Sequence, residues 1–204
     1  LQQTADNPKK ATRDVLGDRA RGFLVPLVRT LDRWHVTPNQ ITVVGAVLNL
    51  TTAVLVSQGL LLIAGIVYVF SSCFDMLDGT LARYTQRVTP FGAFLDSTLD
   101  RMSEGAMMVA IAYLFAVEGH PVDVAFVAVA LVGSLLVSYT RARAEVLGLE
   151  CKVGLMSRPE RIVLVAVGLI FNILPYVIYI LAVLTMFTVV QRIMHTYRQL
   201  RRDA

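Results

Sequence analysis

The chain has 204 residues, 55% of them hydrophobic and only 17% charged, whereas a water-soluble domain carries about a quarter charged residues. With a mean hydropathy of +0.61, this deficit excludes an ordinary soluble globule and predicts a surface that largely faces lipid. The formal net charge of +4 reads as a topology and anionic-lipid signal, not as a nucleic-acid footprint, because of where the basic residues fall. Cys73 and Cys151 lack a partner or a metal-ligand spacing, which argues against zinc or thiol chemistry.

In chain order, residues 1–12 are polar and read as a disordered or expression-derived end without a signal peptide. Residues 13–204 read as one membrane domain. From Arg13 to Trp34 the apolar residues Leu16, Ala20, Phe23, Leu24, Leu27, Val28 and Leu31 recur at helical spacing among charged ones. That pattern predicts an amphipathic helix, bent at Pro26, along the membrane surface. Six apolar stretches follow at 38–57, 60–83, 92–117, 122–143, 159–173 and 175–197, most near the roughly 20 residues a crossing helix needs. The predicted fold is therefore an all-α integral membrane protein: six transmembrane helices behind an N-terminal interfacial helix. All nineteen Lys and Arg fall in the amino-terminal segment, near the 84–91 turn, at Arg101, between Arg141 and Arg161, or from Arg192 onward. None falls in the alternate turns at 57–59, 118–121 and 172–175. The positive-inside rule then places both termini and the 84–91 and 144–158 connections in the cytoplasm, in a multi-pass cell-membrane protein.

The segment from Asp75 to Asp100 carries the chemistry. Four aspartates, Asp75, Asp78, Asp96 and Asp100, stand where lipid-facing helices are apolar, and each charge near mid-bilayer costs about 2.5–3.5 kcal/mol on insertion scales. Asp75 and Asp78 are three apart and Asp96 and Asp100 four apart, so each pair shares a helix face. Two antiparallel helices joined by the 84–91 turn would bring all four to similar depth near the cytoplasmic face. Hard oxygen donors without His or Cys suit Mg²⁺ or Mn²⁺, and four carboxylates are enough for two ions. The plainer alternative is a network of buried pairs with Arg83 and Arg101, in which acids outnumber bases.

The pattern D-x2-D-G-x2-A-R-x8-G-x3-D-x3-D, met at Asp75, Asp78, Gly79, Ala82, Arg83, Gly92, Asp96 and Asp100, resembles the signature of the CDP-alcohol phosphotransferase family. The six-helix layout resembles it too, so the likeness covers nearly the whole chain. The resemblance implies two Mg²⁺ or Mn²⁺ ions held by Asp75, Asp78, Asp96 and Asp100 against the pyrophosphate of a CDP-linked lipid, with Asp100 also the general base. It further implies that Gly79, Ala82 and Arg83 contact the CMP moiety, that Gly92 permits close approach, and that Asn39 and Thr42 touch the cytidine. A homodimer among membrane lipids is the implied assembly, with no nucleic-acid partner.

The acceptor is suggested by two more segments. SYTRARAEVLG (138–148) and KVGLMSRPERI (152–162), with the D-S-T-L-D-R form of the second acidic motif, resemble the inositol-phosphate-using prokaryotic members of that family. An acceptor with its own phosphate needs guanidinium groups beside the metal site, and Arg141, Arg161 and Arg198 (or Arg192) are the candidates. The expected reaction transfers a phosphatidyl-type group, diacyl or ether, to inositol 1-phosphate and releases CMP. Phosphatidylglycerophosphate synthesis, or another acceptor specificity, is the alternative within the family. A divalent-cation transporter is the rival outside it, since intramembrane carboxylates also mark ion paths. Asn49 and Ser134 are expected to make interhelical hydrogen bonds, and Glu104 either to pair structurally or to tune the site.

Overall fold

The computed structural model describes residues 26–203, and among these every regular element is a helix. Residues 26–33 form α1. Then come α2 (Pro38–Ser57), α3 (Leu61–Tyr84), α4 (Pro90–Val117), α5 (Pro121–Val146), α6 (Arg158–Ile170) and α7 (Leu174–Asp203). Local chemistry explains the starts. Proline stands at the beginning of α2, α4 and α5, where its missing N–H costs nothing and its φ suits a helix. Thr37 caps α2 in a capping box, its backbone N–H donating to Gln40 Oε1 at 2.8 Å. Thr89 caps α4 by accepting from the Gly92 N–H at 3.0 Å. The α6–α7 turn runs through Asn172 at φ 55°, a left-handed conformation that asparagine tolerates better than most residues.

Among the described residues four helices are long and apolar enough to cross a membrane: α2, α3, α5 and α7. The six-span expectation differs at the other two, although both form as helices close to the expected bounds. Between residues 96 and 104 α4 carries Asp96, Asp100, Arg101 and Glu104, which breaks its apolar stretch. The 13 residues of α6 rise only about 20 Å, less than a hydrocarbon core of about 30 Å. The predicted surface helix over 13–34 falls largely outside the described residues; its end, 26–33, is helical.

α2 packs on both α3 and α4, α5 on α4 and α7, and α6 on α3 and α7. The main apolar core joins Met107, Ile111 and Phe115 of α4 to Val127, Leu169, Ile178 and Leu181. The acid-bearing helices α3 and α4 are joined through residues 85–89 but do not pack on each other. α2 contacts both, leaving a groove between the acidic pairs. Its close approach to α3 needs Gly45, where a Cβ would meet Phe74 Cβ at 3.2 Å and Asp75 Oδ1 at 3.4 Å. Deeper in the same interface Ser71 Oγ donates to Asn49 Oδ1 at 2.7 Å, the interhelical bond expected of Asn49. Ser134 is different: its Oγ is buried without a partner.

Beside it, Gly133 marks a tight crossing, α5 on α7. A Cβ there would fall 2.1 Å from Thr185 Oγ1 and 2.8 Å from Thr185 Cβ. Gly133→Ala should therefore destabilise the bundle by about 1–3 kcal/mol through overpacking, seen as a lower melting temperature in detergent. Adding Thr185→Gly should recover part of that loss, whereas an unchanged melting temperature would contradict this crossing.

Candidate active site

The expected nucleotide-contacting residues meet in one place. Asn39, Thr42, Gly79, Ala82, Arg83 and Gly92 all line a cavity of about 330 Å³, together with Asp78 and Asp96, a size within the range of small-molecule sites. The starts of α2 and α4 form part of its wall, so the positive ends of two helix dipoles border it. Gly92 is demanded by that geometry: a Cβ would come within 3.0 Å of Asn39 Oδ1 and of Thr89 Oγ1. Thr42 Oγ1 donates to Asp78 Oδ2 at 2.7 Å, and the Gly79 N–H donates to Asp78 Oδ1. Asp78 is thus oriented by α2 as well as by its own helix.

Asp75 and Asp100 face a second, much smaller space of about 10 Å³, near the minimum that holds one water. Asn49, Tyr68, Ser72, Ser103, Glu104, Arg158 and Ile162 complete its lining. The two carboxylates share one guanidinium. Arg158 Nη2 lies 2.8 Å from Asp75 Oδ2 and 2.7 Å from Asp100 Oδ1, while Arg101 Nη1 is 3.9 Å from Asp100. An Asp–Arg pairing does form, therefore, but through Arg158 in place of Arg83, which lines the larger cavity.

Arg158 is aimed by what holds α6. Arg161, three residues on and so on a shared face, grips Glu104 with Nε–Oε1 at 2.6 Å and Nη2–Oε2 at 2.9 Å, and its Nη1 donates to the Met156 carbonyl at 3.2 Å. The loop leading into α6 is tied in turn to α7. Thr188 Oγ1 accepts from the Met156 N–H at 3.1 Å, and Arg192 donates through Nε to the Val153 carbonyl at 3.0 Å and through Nη1 to the Val137 carbonyl. Gly154, at φ +128°, must be glycine both for that angle and because a Cβ would strike Thr188 Cγ2 at 2.5 Å. Cys151 is buried in this loop.

The three arginines expected to hold an acceptor phosphate occupy three different settings. Arg161 is buried, with its guanidinium committed to Glu104 and a carbonyl. Arg141 lies at the exposed end of α5 and pairs with Glu145 at 2.8 Å. Arg198 borders a separate groove with Gly154, Gln191 and His195. Arg192 lies within electrostatic reach of both Arg141 and Arg161, so positive charge does gather at this end. The contact that sequence reasoning missed is Arg158. Its only signal was Arg158 and Arg161 standing three apart at the start of a helix.

The donor set suits a divalent ion. Carboxylate oxygens are the hard ligands such ions take, and one cationic nitrogen already touches both Asp75 and Asp100. Asp78 and Asp96 face the adjoining cavity from α3 and α4. Among the described residues no three acidic, His or Cys side chains converge to ligand distance in this arrangement.

The Glu104–Arg161 pair should behave as a structural strut. Removing one member leaves the other charge buried and unpaired, which costs about 3–5 kcal/mol, whereas well-packed apolar replacement of both is far milder. Glu104→Leu and Arg161→Leu should each lower the detergent melting temperature sharply, and the double variant should recover much of the loss. Additive losses would contradict a strut.

Residues 35–191 match the CDP-alcohol phosphatidyltransferase family. The archaetidylinositol phosphate synthase of Pyrococcus horikoshii is 36% identical over 84% of this chain and 89% of its own length. The phosphatidylinositol phosphate synthase of Corynebacterium glutamicum is 38% identical over 85% of this chain and 84% of its own. The Mycobacterium tuberculosis phosphatidylinositol phosphate synthase has a similar fold. Its crystal structure with CDP-DAG bound superposes with a TM-score of 0.79 at 34% identity, over 84% of this chain and 92% of that one. Its complex with manganese and citrate also gives 0.79, at 35% identity over 84% and 88% of the two chains. With its acidic motif, its helical layout and a match over most of its length, the chain belongs to the CDP-alcohol phosphatidyltransferase family.

Proposed function

We propose that the protein transfers a phosphatidyl-type group from a CDP-linked lipid to inositol 1-phosphate, releasing CMP. The observation that carries this reading is the cavity uniting Asn39, Thr42, Gly79, Ala82, Arg83 and Gly92 with Asp78 and Asp96. It offers small residues and helix starts to a nucleotide, and carboxylates for the ions on its pyrophosphate. The choice of acceptor is supported by relatives named archaetidylinositol and phosphatidylinositol phosphate synthase.

In the reaction the acceptor hydroxyl oxygen attacks the phosphorus attached to the lipid, and the bond to CMP breaks with its electron pair leaving on CMP. Asp100 takes the proton from the attacking hydroxyl. Mg²⁺ or Mn²⁺, as two ions held by Asp75, Asp78, Asp96 and Asp100, would supply charge neutralisation for the pyrophosphate and the departing CMP. Thr42 and the Gly79 N–H hold the Asp78 carboxylate in place. Arg83 and the bordering helix starts attract the anionic nucleotide. On the acceptor side, Arg141 and Arg198 supply exposed positive charge, and Arg161 acts through the position it gives α6. The reading extends to the setting: a homodimer with six spans and a surface helix, both termini and the active site on the cytoplasmic side, supported by the one-sided distribution of Lys and Arg.

Purified protein with a CDP-lipid and a divalent cation should release CMP fastest with inositol 1-phosphate, more slowly with glycerol 3-phosphate, and poorly with free inositol. Asp78→Asn and Asp96→Asn should lower turnover by orders of magnitude while the protein stays folded. Preference for glycerol 3-phosphate would overturn the acceptor, and near-normal turnover of Asp96→Asn would overturn the site.

A further inference from the structure

We propose that Arg158 is a latch on the Asp75–Asp100 pair, mutually exclusive with a divalent cation there, so that metal loading expels its guanidinium. The inference rests on the metal-dependent reading above and goes beyond it by assigning this residue an exchange role. One nitrogen, Nη2, touches both carboxylates at 2.8 and 2.7 Å. A cation ligated by the same two oxygens would have to stand within about 2–2.2 Å of them, close to where that nitrogen stands. Two positive centres do not share that position.

The neighbouring arginine shows what a permanent pair looks like here. Arg161 binds Glu104 through two nitrogens and a carbonyl through a third, and its side chain is 3% exposed. Arg158 reaches both its carboxylates with a single nitrogen, and its side chain is 28% exposed. Arg161 is therefore the fixed anchor of α6, while Arg158, on the first turn beyond the Ser157 cap, can swing without disturbing the helix. The bridge offsets the repulsion between two carboxylates that α3 and α4 hold without packing on each other. Expelling it leaves a guanidinium beside Asp100 without a carboxylate partner, so metal loading would also open a site for an anion.

Phenylglyoxal labelling of the wild-type protein in detergent, read by mass spectrometry at each arginine with and without Mn²⁺, tests the exchange directly. Arg158 should be protected without Mn²⁺ and become several-fold more reactive at saturation, while Arg161 stays protected throughout. Mn²⁺ binding followed by EPR, with no lipid present, gives the second readout. Arg158→Gln should bind Mn²⁺ more tightly by on the order of tenfold, as expected when a competing charge-assisted contact is removed. Binding of Mn²⁺ without any rise in Arg158 reactivity would overturn the latch and leave the metal reading intact. Failure of the wild type to bind Mn²⁺ at all would overturn both.

Discussion

Four carboxylates inside an apolar bundle repel one another, and the surrounding architecture sets them on two helices and gives Asp75, Asp78 and Asp100 partners. α3 and α4 each contribute a pair and both pack on α2, whose Gly45 allows it to close on α3 beside Asp75. From α2, Thr42 reaches across to Asp78. From α6, Arg158 reaches Asp75 and Asp100. The same carboxylates that would be costly in lipid thereby define a polar groove, one part wide enough for a ligand and one part scarcely wide enough for a water.

The supports for that groove extend far along the chain. α6 has only 13 residues, but it carries the two arginines that meet the acidic helices. Its orientation comes from Glu104 on one side and, through the 147–157 loop, from Thr188 and Arg192 on the other. α7 thus contributes to the site without touching the aspartates. A glycine at position 154 lets the loop lie against Thr188, and the crossing at Gly133 sets how closely α5 and α7 approach.

Much of this was legible in the sequence because the signals are local. Helix starts at residues 38, 90 and 121 are written in proline, and α2 matches its predicted bounds. Asp78, Asp96 and the motif's small residues line one cavity, while Asp75 and Asp100 face the smaller space beside Arg158. The illegible part is long-range pairing. Glu104 and Arg161 lie 57 residues apart and Asp75 and Arg158 lie 83 apart, and no periodicity links them. Arg158 therefore read only as one of several cytoplasmic charges, and Arg161 as a phosphate ligand although its guanidinium is bound to Glu104. The spacing of α3 and α4 was hidden too, because a short turn does not reveal that a third helix contacts both sides.

The central claim is that the α3–α4 groove is where the four aspartates hold divalent ions. A crystal structure of this protein grown with Mn²⁺, with anomalous scattering collected at the manganese edge, tests it most directly. Two anomalous peaks are expected between α3 and α4, ligated by Asp75, Asp78, Asp96 and Asp100 with Arg158 turned away. Manganese bound elsewhere, or Arg158 still bridging Asp75 and Asp100 at full metal occupancy, would contradict the account.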